Sequence, residues 1–265
     1  MEPDWDAFAS LWLATGAQRI WRRHSDAVNR RLLTRWLPPR AERLLKTDLW
    51  DEAVGEGLYP ALAAHARLVV GVDISRVVVA AAAGRHSSLS ASLGDVRRLP
   101  FDDASFDVVF SNSTLDHFSS VDDIASALVE LRRVMMPGGT LIVTLDNLAN
   151  PLVALRAVLP RSVFQLIWRL FGGLAARVAP NPPGVTCGIR RLERLVSGAG
   201  LRVCERGSII HCPRVLAVLL ADQLERRASA RMEARFLHAL LSFEALEALP
   251  TRFVTGHFVA IRAVR

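Results

Sequence analysis

The chain has 265 residues and is 51% hydrophobic, which suits one large α/β domain and argues against global disorder. Its net charge is +7, but Lys46 is the only lysine and the arginines are spread along the chain. Basic residues without interleaved aromatics on one face argue against a nucleic-acid-binding protein. Three cysteines make no C-x-x-C pair, residues 1–6 lack a basic-then-apolar secretory pattern, and no apolar run reaches the roughly 18 residues of a membrane span, so reduced thiols in a cytoplasm are expected.

Residues 5–40 read as two helices. Trp5, Phe8 and Trp12, then Ile20, His24 and Ala27, fall at helical spacing, and Arg19, Arg22, Arg23, Arg30 and Arg31 occupy the other side. Pro38 and Pro39 close the segment. Next, residues 45–51 read as a strand that runs into a turn with Gly55 and Gly57. A helix follows with Pro60 in its first turn, where a missing N–H costs nothing. Residues 68–72 form a second strand that ends at Asp73. Strand, glycine turn, helix, strand and acid make a nucleotide-binding βαβ unit. The dinucleotide spelling G-x-G-x-x-G is absent, and Lys46 and Asp48 interrupt the apolar run that a central parallel strand normally has.

A helix over 77–83 and a short strand over 91–94 lead to Asp95. Then come Gly94-Asp95-Val96-Arg97-Arg98-Leu99-Pro100-Phe101 and Ser105-Phe106-Asp107-Val108-Val109-Phe110-Ser111. A helix over 122–135 carries Asp122 and Asp123 at its start and Arg132 and Arg133 at its end, matching the helix dipole. Arg133-Val134-Met135-Met136-Pro137-Gly138-Gly139-Thr140-Leu141 turns it into a fifth strand.

These stretches, in this order, resemble the class I S-adenosylmethionine-dependent methyltransferases, and within them the type 11 small-molecule group. Asp51, Gly55 and Gly57 match the family's first motif, acid-x-Gly-x-Gly-x-Gly, and Ala53 departs from it. Met135-Met136 departs from the usual Leu-Lys. The resemblance spans residues 51–144. It implies a Rossmann-like, doubly wound α/β sheet of seven strands, mostly parallel with the last antiparallel. It implies S-adenosyl-L-methionine as cofactor, held by Asp51, Ala53, Gly55, Gly57, Asp73, Ile74, Asp95, Val96 and Asn112. Asp73 would accept from the ribose, and Asp95 and Val96 would meet the adenine.

Residues 1–40 are then expected to be a helical lid on a methyltransferase domain over 41–265. Residues 147–186 interrupt the pattern as a helical insertion, 152–159 and 163–178, framed by prolines. Phe164, Ile167, Trp168 and Phe171 share one stripe there, which suits a wall of the acceptor pocket. Further on, a helix over 187–197, a strand over 201–206, helices over 213–249 and a last strand over 255–264 are expected, with His257 structural in mid-strand.

A sulfonium methyl needs only an aligned nucleophile, so proximity and exclusion of water can carry much of the rate. His211, Asn147 and His117, on loops after strands six, five and four, are the candidate catalytic residues. Asp146-Asn147 resembles the Mg²⁺-binding pair of catechol-type O-methyltransferases, but no carboxylate stands at 111–112, so no metal is expected. The expected reaction is O- or N-methylation of a small, largely apolar metabolite, in a setting of bacterial secondary metabolism. An RNA methyltransferase and a non-catalytic S-adenosylmethionine-binding protein are the alternatives. No nucleic-acid partner and no integral membrane segment are expected; peripheral membrane contact and a homodimer are left open.

Overall fold

The computed structural model describes residues 4–15, 18–160, 162–163, 166, 184–227 and 229–265. Two helices, α1 (Trp5–Thr15) and α2 (Arg19–Trp36), precede the first strand β1 (Ala41–Thr47). Short helices α3 (Trp50–Val54) and α4 (Tyr59–Ala63) lead to β2 (Ala66–Asp73), then α5 (Arg76–Arg85), β3 (Ser90–Leu93) and β4 (Phe106–Asn112). After a 3-10 turn (Leu115–His117) come α6 (Val121–Val134), β5 (Met135–Asp146) and α7 (Pro151–Val158). The last part holds α8 (Ile189–Gly198), β6 (Arg202–Ile209), α9 (Arg214–Arg227), α10 (Ala230–Ser242), a 3-10 turn (Phe243–Ala248), α11 (Arg252–Thr255) and β7 (Phe258–Val264).

The seven strands lie in the order β3-β2-β1-β4-β5-β7-β6. Neighbours from β3 to β5 pair in parallel, and β7 runs antiparallel between β5 and β6. The central strands are buried on both faces, as covered parallel strands must be. One face packs against α2, α3, α4, α5, α9 and α10, the other against α6 and α8. This is the expected Rossmann-like arrangement, and it puts the ends of β1 to β6 and the start of β7 on one edge.

Local sequence explains several elements. Ser75 caps α5 by accepting from the Val78 N–H, and Ser120 caps α6 by accepting from the Asp123 N–H at 3.0 Å. Helix α2 buries Ile20, Trp21, His24, Val28, Leu32, Leu33 and Trp36 along one stripe. That stripe is part of the main core, so α2 belongs to the body of the domain, and Ala9 of α1 joins the same core.

Three boundaries differ from the sequence reading. First, β1 stops at Thr47, not at 51. Asp48 takes a left-handed backbone with φ of 67°, which ends an extended strand. The Leu49 N–H then turns to Asp73 Oδ2 at 2.8 Å. Leu49 reaches over β2 so closely that a Cβ on Gly71 would clash with its Cδ2. Second, Pro137 and the glycine pair lie within β5. They shift its register against β4 between the Phe106–Met135 and Val108–Thr140 pairs. Third, β7 begins at Phe258, so Thr255 ends α11 and His257 lies before the strand. The helix expected over 163–178, with Phe164, Ile167, Trp168 and Phe171, lies outside the described residues.

Asp26 on α2 shares a crowded acidic interface with Asp51 and Glu52. Burial, reinforced by Asp51, pushes its carboxyl up to about 7 against the pull of Arg30 and Lys46. The folded chain therefore holds this proton when the unfolded chain has lost it, and stability falls as pH rises from about 4 to about 7. Asp26→Asn is expected to flatten that fall. Melting temperatures recorded between about pH 5 and pH 8 check it, and an unchanged slope would clear Asp26 of the effect.

Candidate active site at the carboxyl edge

The edge has a donor half around β1, β2 and β3. Asp73 ends β2, and its two oxygens each accept one backbone N–H, from Leu49 and from Ser75, both at 2.8 Å. Each oxygen keeps a second lone pair for a ligand hydroxyl. Burial raises its pKa, against the N–H groups of Leu49 and Ser75 and the nearby Lys46. Beside it, Ile74 and Leu93 are exposed apolar side chains at the tips of neighbouring strands, a surface on which a flat ring can lie. Asp95 follows β3. It is held by Arg97, whose backbone N–H donates to Oδ1 at 2.8 Å and whose Nη2 reaches Oδ2 at 2.6 Å. Val96 next to it is buried. These groups suit a ribose and an adenine.

The first-motif residues are placed differently from the sequence reading, because β1 ends four residues early. Asp51 lies in α3, where the surrounding charges are Lys46, Glu52 and Arg22. Ala53 is buried in the main core. Gly55 is extended with room for a Cβ, so nothing there requires glycine. Gly57 has φ of 58°, and a Cβ on it would sit 2.8 Å from the backbone of Asp51. The glycine turn thus serves the packing of α3 on its own chain. The loop that leaves β1 at this edge is 48–50, made of Asp48, Leu49 and Trp50.

That loop rests on a buried ion pair. Lys46 Nζ lies 2.8 Å from Glu52 Oε2, with side chains 1% and 0% exposed, and it also donates to the Asp48 carbonyl. Glu52 Oε1 accepts from the Leu58 N–H at 2.9 Å, and Asp48 Oδ1 from the Trp50 N–H at 2.8 Å. Burial works against the ammonium, but Glu52, Asp51 and Asp48 outweigh it and its pKa is raised.

Helix α1 lies across this half. Asp6 accepts from the Ser75 hydroxyl at 2.6 Å and from the Val77 N–H at the start of α5. Trp5 packs edge-on to His117 at 5.4 Å, and Phe8 and Trp12 pack on Trp50 at 6.3 and 6.4 Å. The i, i+3, i+7 stripe of α1 is therefore an aromatic cover on the donor loop.

The other half surrounds the ends of β4, β5 and β6. Asn112 Oδ1 accepts from the Thr144 hydroxyl at 2.8 Å. Asn147 is fully buried and donates to the carbonyls of Phe253 and Gly256 while accepting from the Ala149 N–H. His211 lies with Nδ1 2.8 Å from the Thr255 hydroxyl and Nε2 3.3 Å from the Ser208 carbonyl. Burial lowers its pKa, against the Ser208 carbonyl. Both ring nitrogens are occupied by the chain itself, and the same holds for the Asn147 amide. Neither is placed to move a proton on a ligand, contrary to the sequence expectation. His117 alone of the three lies against the donor half.

Sequence reasoning missed a buried cluster around Asp146. Arg156 Nη2 pairs with Oδ2, His257 Nε2 lies 3.3 Å from Oδ1, and Arg214 Nη1 lies 3.9 Å from it. Burial opposes ionisation, but His257, Arg156 and Arg214 hold this carboxyl well below the usual range. Asp116 goes the other way: burial and Asp146 raise it, although Ser113 donates to its Oδ2 at 2.9 Å. Its Oδ1 is buried and has no hydrogen bond. One signal was legible, a cation at the first position of a helix after Pro213, where the dipole disfavours it. Nothing in the sequence tied it to Asp146.

A guanidinium paired with Asp146, a second 3.9 Å from it, and an Asn147 amide spent on the chain do not suit a divalent cation, which wants several free, charged oxygens. Turnover in excess EDTA is expected to match turnover without it. Loss of activity restored by Mg²⁺ would overturn this and make Asp146, Asn147 and Asn112 ligands.

Residues 33–143 match the methyltransferase domain of the type 11 family. These residues carry the type 11 methyltransferase domain found in class I S-adenosylmethionine-dependent methyltransferases. It is 37% identical over 133 residues to the demethylmenaquinone methyltransferase of Beutenbergia cavernae, covering 49% of each chain. It is 31% identical over 171 residues to that of Corynebacterium efficiens, covering 64% of this chain and 65% of the other. The chain thus spans about half to two thirds of the length of these curated relatives. A Haemonchus contortus phosphoethanolamine N-methyltransferase solved with S-adenosyl-L-methionine shares the fold, with a TM-score of 0.56 at 18% identity over 89% of this chain and 51% of that one.

Proposed function

We propose that this methyltransferase moves the methyl of S-adenosylmethionine to a small acceptor with a largely apolar body, bound at the edge beyond β4 and β5. The observation that carries this reading is the aromatic stripe of α1 laid over the donor loop, tied down by Asp6 at the start of α5. A cover of this kind excludes water, which would otherwise solvate the nucleophile and misalign it.

The donor, when bound, supplies an electrophilic sulfonium methyl. Asp73 would accept from its ribose hydroxyls, Ile74 and Val96 would border the adenine, and Asp95, oriented by Arg97, would accept from the adenine amino group. Asn112 and the loop 48–50 face the rest of the donor. His117, braced by Trp5, borders the path to the acceptor. The chain's contribution to rate is then chiefly alignment. A cytoplasmic setting fits its three free cysteines, two of them buried.

Calorimetric titration with S-adenosylmethionine and S-adenosylhomocysteine tests the reading at its root; no heat from either would end it. Removal of residues 1–15 is the second test. It should leave the melting temperature nearly unchanged and lower acceptor turnover at least tenfold, about 1.4 kcal/mol or more. Removal of residues 1–36 is no substitute, since α2 is core. Unaltered turnover without α1 would show that it is not a cover.

A further inference from the structure

Arg214 opens α9, and no acidic residue lies in the first turn of that helix. A cation at the positive end of a helix is poorly placed unless something negative is held nearby. Its guanidinium lies 5.7 Å from the ring centre of Trp21 on α2 and 5.7 Å from that of Phe258 at the start of β7. Ring faces on such a group fix its plane and leave its N–H edge as the working surface.

That edge is largely unspent. A guanidinium has five N–H donors. Among the described residues, Arg214 makes one hydrogen bond, from Nη1 to His257 Nε2 at 2.9 Å. Asp146 Oδ1 stays at 3.9 Å, beyond hydrogen-bond length. Asp146 already has a close partner in Arg156, whose buried Nε is also without an acceptor. The side chain of Arg214 keeps 35% of its surface open. The groups that face it are Asp146, Arg156, Asp116, Cys212 and His257. Asp146 is taken up by Arg156, so the N–H edge of Arg214 is the part of this cluster left without a close carboxylate, at the edge where the acceptor must lie.

We propose that Arg214, with Arg156 beside it, receives an anionic group of the acceptor, a carboxylate or a phosphate. The assignment of this ligand as the acceptor rests on the methyl-transfer reading. The charge preference of the pocket can be measured without it. The two rings hold the guanidinium in place, and an acid on its N–H edge, with the apolar body of the acceptor beyond it, then describes one molecule. A bidentate oxyanion is what that edge matches in shape.

The test uses the full chain and three probes of similar size: benzoate, phenyl phosphate and benzamide. Binding is followed by tryptophan fluorescence, since Trp21 lies against Arg214, and by calorimetry. At least one of the two anions should bind about tenfold or more tighter than the neutral amide, as charge-assisted hydrogen bonds imply. The tighter anion names the group. Arg214→Gln should abolish that preference. Arg214→Lys keeps the charge without the fork, and it should fold and bind the preferred anion several-fold more weakly. Equal binding of benzamide and both anions to the native chain would overturn the proposal, and so would an anion preference that survives in either variant undiminished. If Arg214→Gln does not fold, the native chain and Arg214→Lys still decide. Failure of the native chain to bind S-adenosylhomocysteine would instead strike the donor reading and leave the anion result standing.

Discussion

Lys46→Ala is expected to destabilise the chain by about 3–5 kcal/mol, because it leaves Glu52 charged and unpaired in the core. The two side chains are nearly free of solvent and 2.8 Å apart. Loss of the ammonium also removes the donor to the Asp48 carbonyl, and with it one of the restraints on the left-handed turn at 48. Urea unfolding reads the effect. The double change Lys46→Met with Glu52→Leu should recover much of the loss, because an apolar pair of similar volume carries no desolvation penalty. It should not recover it all, since Glu52 Oε1 also accepts from the Leu58 N–H. A single change costing less than about 1 kcal/mol would mean the pair is solvated and worth no more than a surface bridge. Donor affinity should fall along with stability in Lys46→Ala, as the loop 48–50 is what the ammonium holds in place.

The second large effect is expected on donor affinity at Asp73. Asp73→Ala should weaken S-adenosylhomocysteine binding by about 2–4 kcal/mol, or roughly 30- to 1000-fold, because two charge-assisted bonds to ribose hydroxyls are lost. Part of the loss comes through the chain, since the Leu49 and Ser75 N–H groups lose their acceptor. Asp73→Asn separates the two contributions. Its side-chain oxygen can keep one N–H bond, so stability should lie nearer to wild type while affinity still drops about tenfold. Calorimetry gives affinity and thermal unfolding gives stability. Unchanged affinity in Asp73→Ala would mean that the end of β2 is not the ribose site.

The sequence was most informative where meaning is local. Alternation and helical spacing repeat within a few residues, so β2, β4, α5, α6 and the terminal sheet strand were legible with errors of a few residues at their ends. The place of Asp73 at the end of β2 was legible because it follows an apolar run directly, and a strand end needs no distant partner to be recognised. The run from 94 to 144 named the family for the same reason: its order and spacing are properties of the chain alone.

The tertiary structure decided what polar side chains do, because a partner's place in sequence does not encode its place in space. Lys46 reads as an interruption of β1. It is tolerated there because Glu52, six residues on, returns to meet it in the core. The glycine turn at 55–57 reads as a donor cradle, and the early end of β1 leaves it packing on the chain's own backbone. His211 and Asn147 read as free groups on loops. The turn at 251–256, remote in sequence, consumes their hydrogen-bonding capacity. Arg214 carries no motif at all. Trp21 lies nearly two hundred residues before it and Phe258 more than forty after it, and only the folding of α2 and β7 onto one edge brings both rings to its faces.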